Sequence, residues 1–186
     1  MTSQLRVDRI TPVFGVAAVS QTAGGNATGG ITQVTYSNTN GLTFASAETP
    51  STAWVATGIF GAISPTRADS KIIIIANPSI MVYQNSGNQG NGSVKIMRKI
   101  GSGGSYTECS PITIGSQVGF YDYGGSGGLM YNNQCIVGVD EPQTTQTINY
   151  QIYVKRLAGT GIRLGYQLTA DIGSNSFLTL MEAAGR

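Results

Sequence analysis

The chain has 186 residues, 40 % of them apolar and only 11 % charged, with 26 glycines, no histidine and a formal net charge of +2. That is enough apolar material for one domain with a real core and too little chain for two ordinary ones. Without histidine, Ser-His-Asp and Cys-His catalysis are excluded and the commonest metal ligand is missing; Lys and Arg scattered singly give no basic footprint for nucleic acid or an anionic membrane.

Residues 1–30 form an apolar-patterned piece, LRVDRITPVFGVAAV, followed by a glycine-rich connector, SQTAGGNATGG. The connector reads as a flexible tether, and Leu5, Val7, Ile10 and Val13 are the anchors that such an arm offers a partner. The opening MTSQLRVDRITP lacks the apolar core of a signal peptide, and the longest apolar run is far short of the ~20 residues of a membrane helix. The expectation is a soluble protein made in the cytoplasm, with no membrane insertion.

From Ile31 to Arg186 the reading is a single all-β domain. Strand-like runs recur between turn signals: ITQVTYS, GLTFAS, AWVATGIFGAIS, KIIIIANPSIMVY, SVKIMRKI, VGFYDY, CIVGVDE, INYQIYVKRL, IRLGYQL and FLTLMEA. None carries a helical period. Several alternate cleanly, as do Tyr150, Ile152 and Val154 against Asn149, Gln151, Tyr153 and Lys155, which places one face in a core and the other in water. Short strands joined by Gly, Asn and Ser turns, with no helices for parallel crossovers and no repeat of fixed period, point to an antiparallel jelly-roll β-sandwich.

The stretch SKIIIIANPSI breaks the alternation. Successive strand residues face opposite ways, so Ile72, Ile74 and Ala76 share one face and Ile73 and Ile75 the other. Both faces are apolar, and an antiparallel sheet then needs a cover on its outer side.

The glycine- and amide-rich stretches at 84–92, 101–105 and 124–134 read as loops. The first, and the stretch 121–134 that contains the last, with Asn88, Gln89, Tyr123, Tyr131 and Asn132, are candidates for contact with a receptor. Glycine allows close backbone approach, amides supply donors and acceptors, and tyrosines supply flat area at low entropic cost. GSGGS and GGSGG lack the following Lys-Ser/Thr pair and helix of a phosphate-cradling loop. Asp140 with Glu141, or Asp122 with Glu108, are the carboxylate pairs available for glycoside hydrolysis; Asp140, Glu141 and Pro142 read instead as a turn closing a strand. Asp69 reads as a turn residue before the isoleucine strand. Cys109 and Cys135 lack metal spacing and read as small core or strand residues, their pairing left open. No catalytic residue, cofactor or metal site is expected.

Three stretches carry a resemblance to a known family. SQLRVDRITPVFGV with its spacer and ITQV is similar to the N-terminal attachment arm of small tail-fibre and head-fibre proteins of tailed bacteriophages, cyanophages included. STAWVATGIFGAISPTRADSKIIIIANPSI resembles their central strand pair, and SFLTLMEAAG their last strand. The resemblance implies a jelly-roll knob like those of C1q and tumour necrosis factor, a homotrimer, and a place on the virion surface, tail or head. In such trimers one sheet of each sandwich packs against the three-fold axis, so Ile73 and Ile75 would lie between subunits while Ile72 and Ile74 are core, or the reverse. Two roles fit: a fibre-tip protein contacting a host glycan or protein, or a decoration protein cementing the capsid shell. In both, residues 1–30 hold other virion proteins.

Overall fold

The computed structural model describes residues 30–39, 51–85, 89–109, 115–121, 128–164 and 176–184. The arm residues Leu5, Val7, Ile10 and Val13, the run GLTFAS, and Asn88 and Tyr123 lie outside them. The described residues form twelve strands and no helix: β1 (Ile31–Thr39), β2 (Val55–Ile63), β3 (Lys71–Asn77), β4 (Ser79–Gln84), β5 (Gln89–Ile100), β6 (Thr107–Glu108), β7 (Gly115–Tyr121), β8 (Gly128–Asn133), β9 (Ile136–Asp140), β10 (Ile148–Ala158), β11 (Gly161–Leu164) and β12 (Ser176–Ala183).

Every pairing is antiparallel, in the orders β1-β12-β3-β9, β2-β10-β5-β6 with β7 also on β5, and β11-β4-β8. The third sheet continues the first around a corner. β3 runs into β4 through Pro78, and β8 runs into β9 through Gln134 and Cys135 at the same level, where the Gln134 amide donates to the Pro78 carbonyl (3.1 Å) and the Ser79 amide to Ser176 Oγ (2.9 Å). Proline has no N–H to give the ladder, so the strand breaks there.

Counting β3 with β4, β6 with β7, β8 with β9 and β11 with β12 as single runs leaves eight successive strands. One layer then holds the first, eighth, third and sixth, and the other the second, seventh, fourth and fifth. This is the winding of a jelly roll, and the fold is the all-β antiparallel sandwich expected from the sequence.

The core lies between the layers. Ile72, Ile74 and Ala76 of β3 and Leu178 and Leu180 of β12 meet Ile59 and Ile63 of β2, Ile148, Ile152 and Val154 of β10 and Val94 and Ile96 of β5, all buried. Each such side chain contributes about 1.5–3 kcal/mol on transfer from water. Register matches the alternation, with Ile74 opposite Leu180 and Ile152 opposite Ile96.

The two glycine-rich loops at 84–92 and 124–134 are corrected. Gln89 to Gly92 belong to β5, where Gln89 pairs with Tyr121, and Gly128 to Asn133 form β8, where Tyr131 pairs with Met81 and Asn132 with Ile80. Glycine serves close packing here rather than a turn: a Cβ on Gly92 would come within 2.5 Å of Ile162 Cδ1 and 3.2 Å of Val82 Cγ1 in the facing sheet. The stretch at 101–105 does turn, with Gly101 at φ +68°.

Gly159, between β10 and β11, combines both demands. Its φ is +90°, and a Cβ would lie 2.9 Å from Gly90 Cα and 3.0 Å from the Tyr83 carbonyl oxygen. Gly159→Ala should therefore cost at least about 1–3 kcal/mol, read as a lower denaturant midpoint at unchanged slope. A midpoint equal to that of the parent protein would show that this turn is relaxed.

Candidate interaction surface

The inner side of the β1-β12-β3-β9 sheet is core, so its alternate residues form an outer face. Register sets them in rows: Val34, Met181, Ile73 and Val139 in one, Tyr36, Thr179, Ile75 and Val137 in the next. Tyr36 and Phe177 extend the surface with ring centroids 6.1 Å apart. Val137 is 64 % exposed, Tyr36 61 % and Val139 41 %, while Ile73 and Ile75 are half-buried by their neighbours. The charged residues of β3 and the end of β9 stand at one margin, where Lys71 Nζ pairs with Glu141 Oε1 at 2.6 Å. The register left open by the isoleucine run is thus resolved within the chain: Ile72 and Ile74 are core, Ile73 and Ile75 are outward.

Beneath this face the inner row Gln33, Glu182, Ile72 and Asp140 carries two carboxylates that are 0 % exposed. Asp140 accepts from Arg98 Nη1 at 2.5 Å and from the Tyr150 hydroxyl at 2.7 Å. Burial alone would lower the Arg98 pKa, but the hydrogen bond and charge of Asp140 outweigh it and hold the guanidinium firmly protonated. Burial, then the Asp140 charge, pushes the Tyr150 phenol far up. The same two causes push the Cys109 thiol up to about 12, so this buried cysteine is inert at neutral pH. Cys135 is exposed and both cysteines are free.

Glu182 has no cationic partner among the described residues. Its Oε1 accepts from the Thr66 amide, the Thr66 hydroxyl and the Ser70 hydroxyl, each at 2.7 Å. Burial pushes its pKa up, yet these donors more than offset that and leave it below the ordinary glutamate value.

Asp140 is therefore not an exposed turn carboxylate: it closes β9 pointing inward, fully engaged, where no substrate reaches it, while Glu141 beside it points out to Lys71. Glu108 pairs with Lys95, and Asp122 lies outside the described residues. No group of three or more His, Cys, Asp or Glu suited to a metal ion occurs among the described residues. Asp69 does sit in the turn before β3, held by a two-pronged contact from Arg67. Among the receptor-contact candidates, Gln89 is exposed at the start of β5, and Asn132 is half-buried in β8 and donates to Gln134 Oε1 at 3.3 Å.

The sequence did signal the buried polar residues. Arg98 falls in phase with Val94, Ile96 and Ile100, and Glu182 in phase with Leu178 and Leu180, so each is a charge at an inward position.

No protein-family model matches this chain, and no curated protein does. Among solved structures it is similar to "Structure of infectious bursal disease virus Gx strain", at TM-score 0.38 and 12 % identity over 84 % of this chain and 38 % of that one. It is similar also to "Structure of infectious bursal disease virus Gt strain", at TM-score 0.37 and 12 % identity over 82 % and 38 %. The chain spans well under half the length of these neighbours. The jelly-roll assignment stands on strand order.

Asp140→Ala should destabilise the protein by about 3–5 kcal/mol in denaturant unfolding, because it strands Arg98 without its counter-charge. The lowered Glu182 pKa gives a pH signature of definite sign. Its contribution is complete above the unfolded value of about 4.5 and is lost as pH falls through the folded value. The parent protein should lose stability across that acid range more steeply than Glu182→Gln, and parallel pH profiles would remove Glu182 from the account.

Proposed function

We propose that this chain is a non-enzymatic structural protein of a tailed-phage virion. In this reading it is a homotrimeric knob on the tail or head surface, held by its N-terminal arm and touching the host surface at its free end. The observation that carries the reading is the outer face of the β1-β12-β3-β9 sheet. Val34, Tyr36, Ile73, Ile75, Val137, Val139 and Met181 form one apolar surface on a stable sandwich, with its charges confined to a margin. The centres of obligate interfaces are depleted in charge in this way, and an apolar sheet face left in water favours aggregation.

The jelly-roll winding and the sequence resemblance to phage fibre proteins supply the three-fold arrangement, with this sheet toward the axis. Ile73 and Ile75 are already half-buried in the single chain, so covering what remains of each between subunits adds less than the roughly 1.5–3 kcal/mol of a fully exposed side chain, before ordering costs. The burial of Asp140 and Glu182 and a histidine-free sequence fit a protein whose work is binding and assembly. A shell-decorating role would share the trimer and differ in what residues 1–30 grasp.

Val137 is the most informative position, because at 64 % exposure a lysine there costs the single chain almost nothing. Light scattering coupled to size exclusion should give a trimer for the parent protein and a monomer for Val137→Lys, with equal circular dichroism. A parent protein that is a monodisperse monomer would refute the assembly. A dimer abolished by Val137→Lys would keep the interface and refute the three-fold.

A further inference from the structure

The outer face of the opposite layer has a different chemistry. Its outward positions include Phe60 on β2, Lys95, Met97 and Lys99 on β5 and Asn149, Gln151, Tyr153 and Lys155 on β10, with Gln151 opposite Phe60, Tyr153 opposite Lys95 and Lys155 opposite Ser93. Trp54, just before β2, has Lys95 Nζ 4.4 Å and Lys155 Nζ 4.8 Å from its ring centroid. Tyr106, just before β6, lies 5.8 Å from Tyr153 between ring centroids and has Lys99 Nζ 5.5 Å from its own. Three of the chain's four lysines and its one tryptophan thus share one face.

Lys95 is nearly buried and ion-paired with Glu108, so it belongs to the floor. Lys99 and Lys155 are half-buried, and neither has a carboxylate partner among the described residues. Each rests against an aromatic ring, which holds its ammonium in place and lowers the entropic cost of using it.

We propose that this face binds an acidic polysaccharide, with Lys99 and Lys155 pairing with carboxylates and the Tyr106–Tyr153 platform stacking on the sugar rings between them. Spacing selects that ligand. Lys155 is level with Ser93, six residues along β5 from Lys99, so the backbone positions of the two lysines stand roughly 20 Å apart along the sheet. Nucleic acid, with a phosphate every few ångströms, calls for a denser row of cations. A polymer with sparse carboxylates and hydroxyl-rich rings between them matches two separated ammonium groups. Phenols, the Asn149 amide and Oε1 of Gln151, whose Nε2 donates to the Thr57 carbonyl, then meet the hydroxyls. The proposal stands on this face alone and holds for a fibre tip and for a shell decoration alike.

Titration calorimetry of the full chain with hyaluronan, whose carboxylates fall on every second sugar, with dextran and an oligothymidylate as controls, tests it. Hyaluronan should bind and weaken with added salt, and dextran should not bind. The Lys99→Gln/Lys155→Gln double variant should lose about ten-fold or more in affinity at unchanged melting temperature, with Lys99→Arg/Lys155→Arg restoring most of it. Absence of hyaluronan binding, equal affinity in the Gln variant, or tighter binding of the oligothymidylate would each overturn the assignment.

Discussion

Two adjacent central strands, β3 and β12, carry apolar side chains on both faces, and the molecule is arranged to dispose of both. Inward, Ile72, Ile74, Leu178 and Leu180 form the middle of the core, and the second layer comes close enough to meet them because β2 offers a glycine there: a Cβ on Gly61 would lie 3.3 Å from both leucines. Two sheets at packing distance must interdigitate, so bulky residues on one require small ones opposite. Gly92 answers Ile162 and Val82 in the same way at the other end of the sandwich. Glycine abundance in this protein is thus partly a packing requirement, set by an interior rich in isoleucine.

That dual role of glycine explains what was legible in the sequence and what was not. Strands whose alternation is uninterrupted, such as Tyr150 to Val154 or Ile72 to Ala76, are read directly, because a period of two has one structural meaning and the inward phase follows from burial. The stretches around Gly90, Gly92 and Gly128 carry no side-chain phase at their glycines, so local chemistry points to a turn while the partner strand imposes a ladder. Gln89, Tyr131 and Asn132 consequently sit in strands. The division of KIIIIANPSIMVY into β3 and β4 was legible at Pro78, yet the sharing of that corner with β8 and β9 arises from pairing between residues 44 to 68 positions apart, from Gln84 with Gly128 to Ile72 with Asp140.

The buried charges follow a second logic. Asp140 and Glu182 occupy inward positions flanking Ile72 at one end of the sandwich, where apolar side chains would also fit by pattern. An ion pair buried this way adds little net stability over a hydrophobic pair, but its loss of one partner is costly, so it penalises any register that separates Asp140 from Arg98 and Tyr150. A one-residue slip of β9 or β12 would turn a carboxylate to the outer face and a valine or methionine into a polar pocket. In sheets whose two faces are both apolar, hydrophobic pattern discriminates weakly between registers. The polar residues restore the discrimination that the isoleucine run removes.

The two outer faces suit the two proposed roles differently. A face of Ile, Val, Met and Tyr gains free energy by leaving water whatever its partner's detailed chemistry, and it suits contact with an identical surface that is equally poor in charge. A face of lysines braced on Trp54, Tyr106 and Tyr153 gains little from simple burial, since an ammonium removed from water without an anion is penalised. It discriminates by charge and remains soluble when empty. Because the sandwich sets these surfaces on opposite sides of one core, covering the first leaves the second free, and the proposed self-association and the proposed ligand capture would not compete for the same residues.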